Sequence, residues 1–198
     1  MVIDATIAHH EAGHVLAAIE RGIPFEYVTL RQKGDSRGRI VWSAEARGPR
    51  TRAEIIDHLV MLLAGDFADQ QQSGERLTVK AILVQIRAKR GDWFSIDRLL
   101  RTLQPPPTAR FLCPDEWVPE KPEAITWEII DRRWGDIEAL ALALLERETL
   151  TADEVREEIA RRVVSDSNGG TFLAERTPAR ALRAAERPNE PPKRGDKR

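Results

Sequence analysis

Apolar and polar positions follow a helical rhythm along most of the chain, broken once, early, by two strand-like runs. Residues 4–21 carry Ile7, Val15, Leu16, Ile19 and several alanines, with Ile3 just before them, so that much of the circumference is apolar and a largely buried helix is expected. Asp4 is a candidate N-cap, and Gly22 followed by Pro24 supplies a stop. Residues 25–30 and 39–43 are β-prone, with turn chemistry between them at Gly34, Asp35, Ser36 and Gly38, which predicts a β-hairpin. An edge strand of such a hairpin could pair with an extended peptide.

Thr51-Arg52-Ala53-Glu54 has the spacing of a capping box, and Ile55, Ile56, Leu59, Val60, Leu62 and Leu63 follow at helical intervals toward Gln72, where Gly74 breaks the pattern. Residues 77–90 predict a further helix, and Gly91-Asp92 opens another through Leu103, ended by Pro105, Pro106 and Pro107. Residues 105–122 read as a loop around Cys113 and Trp117. Ile125, Ile129, Ile130, Trp134, Ile137, Leu140 and Leu144 describe a long amphipathic helix over about residues 123–147, and Thr151-Ala152-Asp153-Glu154 caps a short last one. From Ser165 onward glycine, proline, asparagine and charged residues take over, and that stretch is expected to be mostly disordered. The expectation is therefore a mainly α domain over residues 1–162, with a small β-hairpin beside its first helix, followed by a charged tail over residues 163–198.

Composition narrows the function classes. With 198 residues, 41% of them hydrophobic, the chain can bury a sizeable core. A formal net charge of −1 argues against a nucleic-acid partner, and the basic end of the tail reads as solvated. The single cysteine, Cys113, excludes an intramolecular disulfide and a multi-cysteine zinc site, which fits a reducing, cytoplasmic setting. No apolar run has the roughly 18 to 20 residues that cross a bilayer, and the first residues are acidic or histidine rather than basic, so neither a membrane span nor a signal peptide is expected. The absence of a G-x-x-x-x-G-K-[ST] sequence gives no sign of a nucleotide-driven motor in this chain.

One pentapeptide changes the picture: His10-Glu11-Ala12-Gly13-His14, an H-E-x-x-H pattern inside the first helix. Histidines four apart lie one turn above each other on one helix face, so both imidazoles can reach one metal ion. Glu11 is offset by about 100° from His10, placed to hydrogen-bond a water there and act as general base. Gly13 costs a helix roughly 1 kcal/mol relative to alanine, which suggests that another segment packs closely against it. Buried imidazoles need partners, and a metal serves both rings at once. A catalytic zinc needs a third ligand from elsewhere. Ala17 and Glu20 stand where a metzincin would have glycine and histidine, so that class is excluded; His58, Asp66, Asp69, Asp92 and Asp97 remain, and spacing does not choose among them.

The chain resembles the FtsH-type zinc metalloproteases in several blocks, which occur in that family's order. Residues 9–18 look like its H-E-A-G-H-A helix, Tyr27-Val28-Thr29-Leu30 like the strand after it, and Leu62-Leu63-Ala64-Gly65-Asp66-Phe67-Ala68-Asp69 like its L-L-x-G-R-x-A-E-E helix. Leu144-Leu145-Glu146-Arg147-Glu148-Thr149-Leu150 with Asp153-Glu154-Val155 is similar to its closing segment. The resemblance implies a peptidase module, without that family's ATPase or membrane segment, holding Zn²⁺ through His10, His14 and an aspartate that opens a later helix. Ser95-Ile96-Asp97 with Thr102 matches that aspartate's setting best, making Asp97 the expected third ligand and Asp92 the runner-up. It implies ATP-independent hydrolysis of peptides or unfolded segments, with Glu11 as base, by a monomer, dimer or ring. The alternative is a protein that keeps the peptidase fold as a binding or regulatory module without cleaving.

Overall fold

The computed structural model describes residues 5–32, 38–46, 48–75, 77–78, 81, 84, 91–103 and 118–168. Helix α1, Ala5–Glu20, is buried at every position from 11 to 18, as its apolar circumference demands. It ends in a Schellman motif: Gly22 takes a φ of 68°, its N–H donates to Ile19 C=O at 3.2 Å, and Ile23 N–H donates to Ala18 C=O at 2.8 Å.

Two long helices enclose α1. Helix α2, Arg52–Ser73, starts at the expected capping box, in which Glu54 N–H donates to Thr51 Oγ1 at 3.2 Å and Thr51 N–H donates to Glu54 Oε2 at 2.9 Å. Helix α3, Gly91–Thr102, lies on α2 through Ile96 and Leu100. Helix α4, Pro122–Arg147, covers α1 and α2, and Ile130, Ile137, Leu140 and Leu144 join Leu16, Leu59, Leu63 and Phe67 in one core. It is not the continuous helix that its periodicity suggests. Arg133 leaves helical geometry (φ −113°, ψ 18°), where its guanidinium reaches Asp136 and Glu20 while the Arg162 guanidinium lies over Gly135.

The hairpin is present and gains a third strand. Strands β1, Phe25–Thr29, and β2, Arg39–Trp42, pair antiparallel with Val28 opposite Ile40 and an irregularity between Phe25 and Tyr27. Strand β3, Thr149–Thr151, pairs with the other side of β1, placing Leu150 opposite Val28, both fully buried, in a sheet of order β2-β1-β3. Three residues are too few to show a period of two, so no alternation announces β3. Thr151 also caps helix α5, Ala152–Asn168, by the expected box with Glu154. Helix α5 corrects the sequence reading in length: at 17 residues it is not short, and it runs on through positions 165–168. Ion pairs Arg156–Asp153 and Arg161–Glu158 show how such a polar surface helix sustains itself.

The chain divides into two units, Met1–Val163 and Val164–Arg198. Among the described residues no helix is long and apolar enough to cross a membrane. The Asp4 cap, most of the helix expected over residues 77–90, the loop with Cys113 and Trp117, and the tail beyond 168 lie outside the described residues.

The close approach expected at Gly13 is the α1–α2 crossing: a Cβ there would sit 2.6 Å from the Ala64 carbonyl oxygen and 2.8 Å from the Ala68 Cβ. Gly13→Ala should therefore destabilise the protein by about 1–3 kcal/mol, despite a gain in helix propensity of up to about 1 kcal/mol. Urea denaturation would reveal the sign, and a more stable variant would show that the helices do not cross this tightly.

Candidate metal centre

Antiparallel packing sets His10 and His14 of α1 against one stripe of α2 formed by Met61, Gly65 and Asp69, spaced four residues apart. The His14 Nδ1–H donates to the Met61 carbonyl at 2.7 Å. A carbonyl only accepts, so the hydrogen is on Nδ1, and in the neutral ring the lone pair is on Nε2. The His10 Nδ1–H likewise donates to Asp69 Oδ2 at 3.0 Å. Both Nε2 atoms consequently aim at one point and stand 3.0 Å apart. Gly65 faces that point: a Cβ there would collide with His14 Nε2 and come within 2.6 Å of His10 Nε2.

The third group is Asp92, whose Oδ2 lies 3.5 Å from each Nε2. It belongs to the first turn of α3, four residues before buried Ile96 and eight before Leu100, and so shares the face that packs on α2. Asp97, the expected ligand, is not brought there. Five residues beyond Asp92 it points about 140° away around the helix, and its carboxylate accepts from Arg101 Nε at 2.7 Å. The correction has a simple origin, since a motif setting does not state which helix face is anchored. The apolar stripe of Ile96 and Leu100, with Trp93 and Leu103 partly buried beside it, was the signal that favoured Asp92. Among the other candidates, His58 is occupied locally with its Nδ1 on Glu54 C=O at 2.8 Å. Asp66 and Asp69 flank His10 in a second cluster whose ligand atoms lie within 4.8 Å of one another.

These donors fit a divalent cation. Bonds of about 2.0–2.1 Å in a tetrahedral site separate neighbouring ligand atoms by about 3.3–3.4 Å, and the three edges here are 3.0, 3.5 and 3.5 Å. Two imidazoles and one carboxylate leave a fourth position, and the cluster is not sealed: the Asp92 side chain is 34% exposed against 7% for His14. Electrostatics agree. Burial disfavours the His10 imidazolium, but hydrogen bonds to Asp69 and Asp92 and their charges win and push its pKa up to about 10. His14 is raised too, burial again being outweighed by Asp92. Asp92 is held well below the usual carboxylate range because the two imidazoles overcome its own burial. The pocket thus stabilises positive charge between two nitrogens that would otherwise repel.

Glu11 lies beside this group, 7% exposed, with its carboxyl raised by burial and partly lowered again by His14 and His10. Neither protein-family models nor curated proteins match the chain.

Metal titrations discriminate the ligands. Asp92→Ala should weaken Zn²⁺ binding at least about 100-fold and Asp97→Ala by less than about twofold, while Gly65→Ala, normally favourable in a helix, should abolish stoichiometric uptake. Equal losses at Asp92 and Asp97 would contradict this arrangement. Because the metal-free His10 keeps its proton below about pH 10, metal uptake at pH 7.5 should release it, and affinity should rise with pH toward that value. Calorimetry in buffers of different ionisation enthalpy measures the release, and buffer-independent heats would refute it.

Proposed function

We propose that the chain is a zinc-dependent peptidase of the FtsH type, with residues 1–162 as its peptidase domain. The observation that carries this reading is the convergence of His10 Nε2, His14 Nε2 and Asp92 Oδ2 beside Glu11, with one face open. His10, His14 and Asp92 would hold the cation, which when bound would supply Lewis acidity toward a carbonyl and lower the pKa of a water toward about 7. Asp69 and the Met61 carbonyl keep the imidazoles in the ligating tautomer, and Gly65 keeps the space clear. Glu11 accepts the water's proton and returns it to the leaving amine; its raised pKa brings it nearer to the working pH of a proton carrier.

The substrate is proposed to be an extended peptide or unfolded segment. In the order β2-β1-β3, β2 is an edge strand, and Gly38, immediately before it, contacts Glu11. A peptide added to that edge by backbone hydrogen bonds would run past the base. No motor sequence occurs in the chain, so turnover is proposed to be independent of ATP.

Glu11→Gln should retain stoichiometric zinc and lose about 10²–10⁴-fold in kcat on an unstructured peptide, with KM little changed. Full activity would remove Glu11 from the mechanism. Stoichiometric zinc with no cleavage by the wild type across a broad peptide library would instead favour a binding or regulatory module.

A further inference from the structure

A general base must be aimed as well as present, and the two imidazoles are aimed by hydrogen bonds on their far nitrogens. Glu11 is not. Among the described residues no hydrogen bond holds its carboxylate, although the side chain is buried and has three rotatable bonds. What confines it is contact. A Cβ built at Gly38 would lie 2.5 Å from Glu11 Oε1, 2.8 Å from Cγ and 2.9 Å from Cδ, and these are its three nearest neighbours.

Gly38 is glycine where a side chain would meet Glu11. The residue leads directly into β2, whose Arg39 is paired with Thr29 of the central strand, so its α-carbon adjoins the sheet. An added methyl group would meet the Glu11 side chain first. That side chain is flexible, so the carboxylate would move and the backbone would stay.

We propose that Gly38 is a positioning residue for Glu11: its bare α-carbon is the wall that lets the base lie beside the cluster of His10, His14 and Asp92. This rests on the peptidase reading for its kinetic consequence, but the placement itself is a property of the folded chain. The same carboxylate must reach the water and then the leaving amine, so displacing it lowers kcat at both proton transfers and leaves peptide and metal binding intact.

Zinc-loaded Gly38→Ala is the test, with Gly48→Ala as control, since a Cβ at Gly48 meets nothing within 4 Å. Gly38→Ala should keep full zinc stoichiometry and an unchanged melting temperature, lose at least about tenfold in kcat with KM within about twofold, and add no further loss in a Glu11→Gln background. Independently of turnover, the ¹³C resonance of the Glu11 side-chain carboxyl, assigned by its disappearance in Glu11→Gln, should move in Gly38→Ala and not in Gly48→Ala. An unmoved resonance, or a fall in zinc content or melting temperature that explains the lost activity, overturns the proposal. If the wild type cleaves no peptide, the peptidase reading fails and the resonance alone decides the role of Gly38.

Discussion

The structure depends on two helices meeting without side chains between them. Where α1 crosses α2, Gly13 lets the Ala64 carbonyl and the Ala68 methyl approach, and Gly65 lets the edges of both imidazoles approach in return. A helix buried on all sides at residues 11–18 would normally exclude two histidines and a glutamate, because unpaired polar groups in a core cost several kcal/mol. The crossing resolves this. It delivers one carbonyl and one carboxylate to the two Nδ1 atoms, satisfying the rings on one side and turning their lone pairs together on the other.

Turning two lone pairs together creates a demand that the rest of the site answers. Asp92 adds a carboxylate to the gap, Asp66 and Asp69 stand behind His10, and Glu11 stands beside both rings. The carboxylates raise both histidines, and the two imidazoles in turn depress Asp92, whose own burial would do the reverse. A proton or a metal ion between the nitrogens relieves the repulsion, and only the metal also engages the carboxylate in a tetrahedral set. The three ligands come from two elements: α1 is enclosed by α2 and α4, and among the described residues α3 packs on α2 with Ile96 and Leu100 buried. The metal would thus tie α3 to the pair on α1.

Much of this was legible wherever the cause is local. The Thr51–Glu54 and Thr151–Glu154 boxes are reciprocal bonds between residues three apart, and both formed where the sequence placed them. The turn at Gly22 and the hairpin strands obey short-range rules of the same kind. What was missed involves distant partners. Strand β3 forms against the second edge of β1, Glu20 reaches in from another helix where α4 bends at Arg133, and Asp92 rather than Asp97 faces the rings because α3 docks by one particular face.

By itself the sequence determined that two imidazoles share a helix face with a glutamate beside them, because four residues make about one turn whatever surrounds them. It also determined that this helix is buried, because its apolar residues leave no polar side to face water. Only the tertiary structure decided which carboxylate faces the rings, what fixes their tautomers and what confines Glu11. Those are distances between residues 27 to 82 positions apart, set by how helices and strands dock rather than by any spacing along the chain.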